Sequence, residues 1–195
     1  MAKLRAVLAS ENEHKLRELR GLLPEWELEP LRGADYPEEA GATFYENALA
    51  KARFARELAP ADVWVLGEDS GLEVAGLGGG PGIRSARYAG EGASDETNVE
   101  KLLGELEGVA GEGRHARYVS ELVGIAPTGA NVRGTGTFEG SIAAEPRGAA
   151  GFGYDPVFIP AGKARTVAEL GDAWKARHSH RSRAARAFHD RAVAL

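Results

Sequence analysis

LRAVLASENEHKLRELRGLLP, residues 4–24, decides the class of fold. Leu4–Ser10 is a short apolar run that reads as a strand. From Glu13 to Leu23 the residues Leu16, Leu19, Leu22 and Leu23 fall at helical spacing, until Pro24 stops the pattern. A strand feeding directly into a helix is the opening of an α/β fold. Working outward, Thr43–Leu58 predicts a second helix with Phe44, Ala48, Ala52 and Ala55 on one face. Val63–Gly67 is a continuous apolar strand of the kind buried on both faces. Asp95–Leu106 predicts a third helix. Arg117–Ile125 and Asn131–Phe138 predict a β-hairpin turning near Pro127-Thr128-Gly129-Ala130. Val157–Ile159 reads as one more strand, and Ser179–Leu195 as a closing Arg- and Ala-rich helix. This order implies a layered α/β/α fold with a central mixed β-sheet and an appended hairpin lobe, rather than a purely doubly wound sheet. No repeat, low-complexity tract or long linker interrupts it, so residues 1–195 read as a single domain.

Composition excludes several classes of function. With 24 Lys and Arg against 29 Asp and Glu, the net charge is −5, which disfavours a nucleic-acid binder held by a basic surface. No apolar run approaches the roughly 20 residues of a membrane span. The opening MAKLRAVLAS has no cleavage-site pattern, so no leader is expected, and a cytoplasmic location is the default. Absence of cysteine removes disulfides, thiolate nucleophiles and sulfur-ligated zinc. Arg outnumbers Lys 18 to 6 and Gln is absent; heat adaptation and a GC-rich genome both produce that bias.

The usual nucleotide fingerprints, G-x-x-x-x-G-K-[ST] and G-x-G-x-x-G, do not occur; neither does H-E-x-x-H or a nucleophile elbow. What remains begins at Ser10-Glu11-Asn12-Glu13-His14-Lys15. A helix starting there aims free N–H groups and a positive dipole end outward, a seat for phosphate to which Lys15 adds a charge. Ser10-x-x-Glu13 also reads as a plain capping box. The second candidate is Glu68-Asp69-Ser70-Gly71, read as leaving the carboxyl end of the apolar strand. Oxygens placed there suit a hard cation such as Mg²⁺, whose waters a carboxylate can orient; the alternative is an Asp turn. Upstream, Thr43-x-x-Glu46 is a second capping box, which leaves Glu38 or Glu39 as a further metal oxygen. Asn47 and Lys51 face either a polyanion or solvent. Gly151-Phe152-Gly153-Tyr154-Asp155-Pro156 is either a stacking platform with one acceptor for a base or an aromatic corner of the core. Lys175 and Ser179-His180-Arg181 stand at the start of the last helix, where cations can grip phosphates or a carbonyl oxygen.

Taken together, ASENEHK (9–15), EEAGATFYENALAKAR (38–53), EDSGLEV (68–74), GGGPGIRSARYAG (78–90), GFGYDP (151–156) and K-x-x-x-SHR (175–181) resemble, in order and over nearly the whole chain, the inosine triphosphate pyrophosphatase family. The resemblance implies hydrolysis of dITP, ITP and XTP between the α- and β-phosphates, with Mg²⁺ as cofactor and an active-site cleft between two lobes. It implies a homodimer, while charge and hydropathy point to no nucleic-acid or membrane partner. Ser10, Asn12 and Lys15 match the segment that grips the triphosphate. Glu39 and Asp69 match the metal carboxylates, Asp69 being also the proton acceptor. Ser70, Phe152, Gly153, Tyr154, Asp155, Lys175, His180 and Arg181 match substrate contacts. Arg181 is expected to donate to a 6-oxo group, which leaves the exclusion of guanine unexplained. Glu11, Ala40 and Glu68 depart from the commoner family residues. Maf-type nucleotide pyrophosphatases, and a nucleotide-binding module without turnover, are the competing readings.

Overall fold

The computed structural model describes residues 3–37 and 39–195. The chain runs through β1 (Leu4–Ala9), α1 (Glu13–Leu22), β2 (Trp26–Pro30), α2 (Phe44–Leu58) and β3 (Trp64–Val74). It continues through α3 (Asp95–Glu105), β4 (His115–Ile125), β5 (Asn131–Ile142) and β6 (Phe158–Pro160), and ends in α4 (Val167–Leu170), α5 (Asp172–His178) and α6 (His180–Ala192). The strands form one sheet in the order β2-β1-β3-β4-β5-β6. β1 is parallel to β2 and β3, whereas β6 is antiparallel to β5, so the sheet is mixed and the fold is α/β as expected.

The chain divides into two compact units, and β3, β4 and β5 each pass from one to the other. The first comprises residues 1–69, 120–136 and 180–195. Within it, strand alternation sorts the core by face. Leu8, Leu66 and Leu122 pack with Leu16 and Leu19 of α1 and Ala184, Ala185 and Phe188 of α6. Their neighbours Ala9, Val65 and Val123 pack with Ala48, Ala52 and Ala55 of α2. Helices therefore cover both faces of the sheet in this unit. The α2 face is drawn in tightly at Gly67, where a Cβ would lie 2.0 Å from the Ala48 carbonyl oxygen and 2.6 Å from the Ala52 nitrogen. Only glycine admits that approach.

The second unit comprises residues 70–119 and 137–179. Leu72 and Val74 of β3, Tyr118 of β4, Phe138 of β5 and Phe158 of β6 pack there with Val99 and Leu102 of α3 and with Leu106. Among the described residues, no helix is long and apolar enough to cross a membrane.

Two local expectations are corrected, and one strand is added. The strand expected to stop at Gly67 runs on to Val74, through both acidic residues. What ends at Gly67 is the parallel pairing with β1, whose last partner is Ala9. α1 is capped by Asn12 rather than Ser10: the Asn12 side chain accepts from the Lys15 N–H at 3.0 Å, and the Ser10 hydroxyl accepts from the Asn12 N–H at 3.2 Å. Either residue type caps well; here Ser10 closes the turn ahead of the helix and Asn12 caps the helix itself. β2 was not anticipated, although Trp26 and Leu28 are buried and Glu27 and Glu29 exposed in strict alternation.

Candidate active site

Because β3 stays extended, Glu68 and Asp69 point to opposite faces of the sheet. Glu68 continues the Trp64, Leu66 row toward α1 and α6, and its side chain is wholly buried. Three groups compensate it. The Lys15 ammonium lies 2.8 Å from Oε2, the Arg181 Nε donates to Oε1 at 3.1 Å, and the Ser120 hydroxyl donates to Oε1 at 2.9 Å. Burial alone would raise its pKa; Arg181 and Lys15 outweigh that and hold the carboxyl far below the usual range. Arg181 in turn donates from Nη1 to Glu18. The guanidinium expected to read a base is thus 2 % exposed and held between two carboxylates. In this arrangement it fixes Glu68, and through Glu68 the Lys15 ammonium at the start of α1.

Asp69 continues the Val65, Gly67 row toward α2. It is 5 % exposed, with Asn47 Nδ2 donating to Oδ2 at 3.0 Å and Lys51 Nζ 3.5 Å from Oδ1. Lys51 also pairs with Glu39 and donates to the Glu68 backbone carbonyl at 3.3 Å. Burial raises the Asp69 pKa, Glu39 adds to the rise, and Lys51, Lys15 and the Asn47 hydrogen bond oppose it. Lys51 stays protonated, because Asp69 and Glu39 outweigh the cost of its burial. Asp69 is therefore a carboxylate with raised basicity beside a permanent cation, which suits it to take a proton from water. Glu39 and Asp69, distant in sequence, meet on one ammonium. Glu38, the other candidate oxygen, lies outside the described residues.

The expected capping box at α2 forms with a shift. The Thr43 hydroxyl accepts from the Glu46 N–H at 3.1 Å, but the Glu46 carboxylate accepts from Ala42 rather than Thr43, at 2.7 Å. Glu46 is a structural residue, as its spacing implied.

The remaining expected residues, apart from His180, belong to the second unit. Asp155 is 1 % exposed and accepts from Lys175 Nζ at 2.5 Å and from the Phe152 N–H at 3.0 Å. The Lys175 ammonium also lies 4.1 Å from the centre of the Phe152 ring. Tyr154 turns into the core and donates to the Ser85 carbonyl at 2.8 Å; burial raises its pKa strongly. Gly153 donates its N–H to Asp95 Oδ2 at 2.7 Å. Of the two readings of GFGYDP, the core corner describes Tyr154, while Phe152 is half-buried. Ser70 is half-exposed on β3, and His180 is buried at the first position of α6.

Sequence reasoning missed Glu18, Ser120 and Asp95, and it left Asn47 and Lys51 undecided. Glu18 and Ser120 carry no local signal. Asn47 does, because an amide inside a helix otherwise built on apolar spacing is a poor helix former and needs a reason to be there.

The Ham1 family model matches residues 6–191. The dITP/XTP pyrophosphatase of Bdellovibrio bacteriovorus is 45% identical over 93% of this chain and 94% of its own. That of Thermus thermophilus is 46% identical over 95% and 90%. The solved structure of a HAM1 protein from Coxiella burnetii superposes with a TM-score of 0.85 at 37% identity, covering 98% of this chain and all of that one. The chain belongs to the Ham1 family.

Proposed function

We propose that this protein hydrolyses non-standard purine nucleoside triphosphates of the dITP, ITP and XTP class to the monophosphate and pyrophosphate, in the cytoplasm and as a homodimer. The observation that carries the chemistry is the splitting of the Glu68–Asp69 pair across the sheet. One carboxylate anchors cations, and the other is left with raised basicity beside Asn47 and Lys51. Relatives called dITP/XTP pyrophosphatases, at close to half identity over nearly the full chain, support the substrate class.

The charges of the first cluster support a divalent cofactor. Lys15, Lys51 and Arg181 face Glu18, Glu39, Glu68 and Asp69, so the group cannot by itself neutralise a triphosphate. Glu39 and Asp69 already converge on one cation, and Mg²⁺ takes one or two carboxylates with water and phosphate oxygens completing its shell. Glu39 and Asp69 are the residues that would hold Mg²⁺, which would supply charge neutralisation at the phosphates.

The chain's own residues do the rest. Ser10, Asn12 and Lys15 at the start of α1 receive the triphosphate, with Lys15 kept in place by Glu68. Asp69 accepts a proton from the water that attacks the α-phosphorus; the α–β bond breaks and pyrophosphate leaves with the bond's electron pair. His180 and Arg181 support this end from α6, and Ser70 contacts the substrate from β3. Phe152 offers its ring to the purine; Gly153, Tyr154, Asp155 and Lys175 set that ring's place. Product analysis on dITP, XTP, dGTP and dATP, with and without Mg²⁺, tests the reading. Pyrophosphate with the monophosphate, favouring dITP and XTP, is expected; orthophosphate or no product would end it, and equal kcat/KM for dITP and dATP would remove the 6-oxo preference.

A further inference from the structure

Asn47 is 1 % exposed, one turn into α2. Burying an amide is costly unless both its ends are paired. Here Nδ2 donates to Asp69 Oδ2 at 3.0 Å, and Oδ1 accepts from the Gly41 N–H at 2.9 Å. The backbone on each side is fitted to this amide. At Gly67 the α2 main chain rests directly on β3, which brings Asn47 to Asp69, two residues on along the same face. At Gly41 a Cβ would lie 2.5 Å from Asn47 Oδ1 and 2.9 Å from Glu46 Cβ, so the segment carrying Glu39 passes closely over the amide.

We propose that Asn47 is a positioning residue: its side-chain amide ties the Glu39–Gly41 segment to Asp69 and so sets the spacing of the two carboxylates around one cation. The proposal rests on the reading of Glu39 and Asp69 given above and deepens it. An amide presents a donor to a carboxylate and an acceptor to a backbone N–H from the same fork, without titrating. An aspartate there would set a second negative charge against Asp69, and a leucine of similar size would remove the partner of the Gly41 N–H and of Asp69 Oδ2, leaving Lys51 at Oδ1. Being neutral, the amide holds Asp69 by one oxygen without competing for the positive charge at the other, where Lys51 lies. It touches no reacting atom; it acts through the residues it holds.

The test compares Asn47→Leu and Gly41→Ala with the unaltered full-length protein. Thermal melts establish folding, and Mn²⁺ binding to the nucleotide-free protein is read by electron paramagnetic resonance. kcat and KM for dITP are measured at saturating Mg²⁺. In both variants the Mn²⁺ Kd is expected to weaken by roughly 10- to 100-fold, as loss of an outer-shell partner does. kcat should fall by a similar factor, with KM moving by less than about threefold, because the α1 phosphate seat is untouched. Folded variants with unaltered Mn²⁺ affinity and kcat would overturn the proposal, as would a KM that rises alone. Should Asn47→Leu not fold, Gly41→Ala decides, since it keeps every polar atom and adds one methyl. Failure of the unaltered protein to release pyrophosphate would strike the function instead, and the nucleotide-free Mn²⁺ measurement would still judge Asn47.

Discussion

Replacing Glu68 with Gln keeps the side chain's shape and removes the charge that Lys15, Arg181 and Ser120 share. The carboxyl is wholly buried against Lys15 at 2.8 Å, Arg181 at 3.1 Å and the Ser120 hydroxyl at 2.9 Å. An amide must turn its NH₂ toward one of those donors, leaving a buried cation without its counter-charge. Loss of one partner of a buried pair costs about 3–5 kcal/mol. Arg181 retains Glu18, and the Lys15 side chain, 15% exposed, has water within reach, so the lower end applies. At roughly 2–4 °C per kcal/mol for a chain of this size, Tm should drop by about 6–12 °C at pH 7. The pH dependence fixes the cause. The folded pKa of Glu68 lies below its ordinary value of 4.5, so its stabilisation is complete above 4.5 and is lost as pH falls toward the folded value. The gap between the two proteins should therefore narrow on acidification below 4.5. Calorimetric melts from pH 7 to pH 3 measure it. A difference under about 3 °C at pH 7, or one that widens in acid, would refute the argument.

Asp69→Asn should lower kcat by about 10²- to 10⁴-fold, as loss of a positioned base does, without lowering Tm. The folded pKa of Asp69 is raised above 3.8, so its ionised form costs stability at neutral pH, and that cost disappears as pH falls through the folded value. Near-normal kcat for Asp69→Asn with Mg²⁺ in initial-rate measurements would contradict the assignment. Lys175→Met strands the buried Asp155 charge and should cost about 3–5 kcal/mol in denaturant titrations, with Asp155→Asn added to it restoring part of the loss. Asp95→Ala removes the acceptor for the Gly153 N–H at an exposed site, and the KM for dITP should rise by roughly 2- to 10-fold while Mn²⁺ affinity is unchanged. A variant with altered Mn²⁺ affinity would place Asp95 elsewhere in the mechanism.

What the sequence discloses follows the range of the forces involved. β1, α1, α2, α3 and the hairpin are set by apolar spacing within each segment, and they lie within a few residues of their expected bounds. The continuation of β3 could not be read locally, because Glu68 is tolerable inside a sheet through Lys15, Ser120 and Arg181, all distant from it in sequence. Once the strand is known to continue, alternation alone separates the tasks of Glu68 and Asp69. Lys51 could not be decided between a polyanion and solvent, because its two carboxylate partners come from segments on either side of its helix. The short helix α4 did carry a local sign, since Thr166-Val167-Ala168-Glu169 has capping-box spacing and forms both reciprocal bonds. Arg181 is the instructive case. Its charge and place at the start of the last helix were legible, but its partners Glu18 and Glu68 were not, and they decide what the guanidinium does.

The central claim, a water activated at Asp69 and aimed at the α-phosphorus, is tested most directly by hydrolysing dITP with Mg²⁺ in ¹⁸O-labelled water and weighing both products. A single ¹⁸O in the nucleoside monophosphate, with unlabelled pyrophosphate, is the expected result. Label in pyrophosphate, or release of orthophosphate, would contradict it.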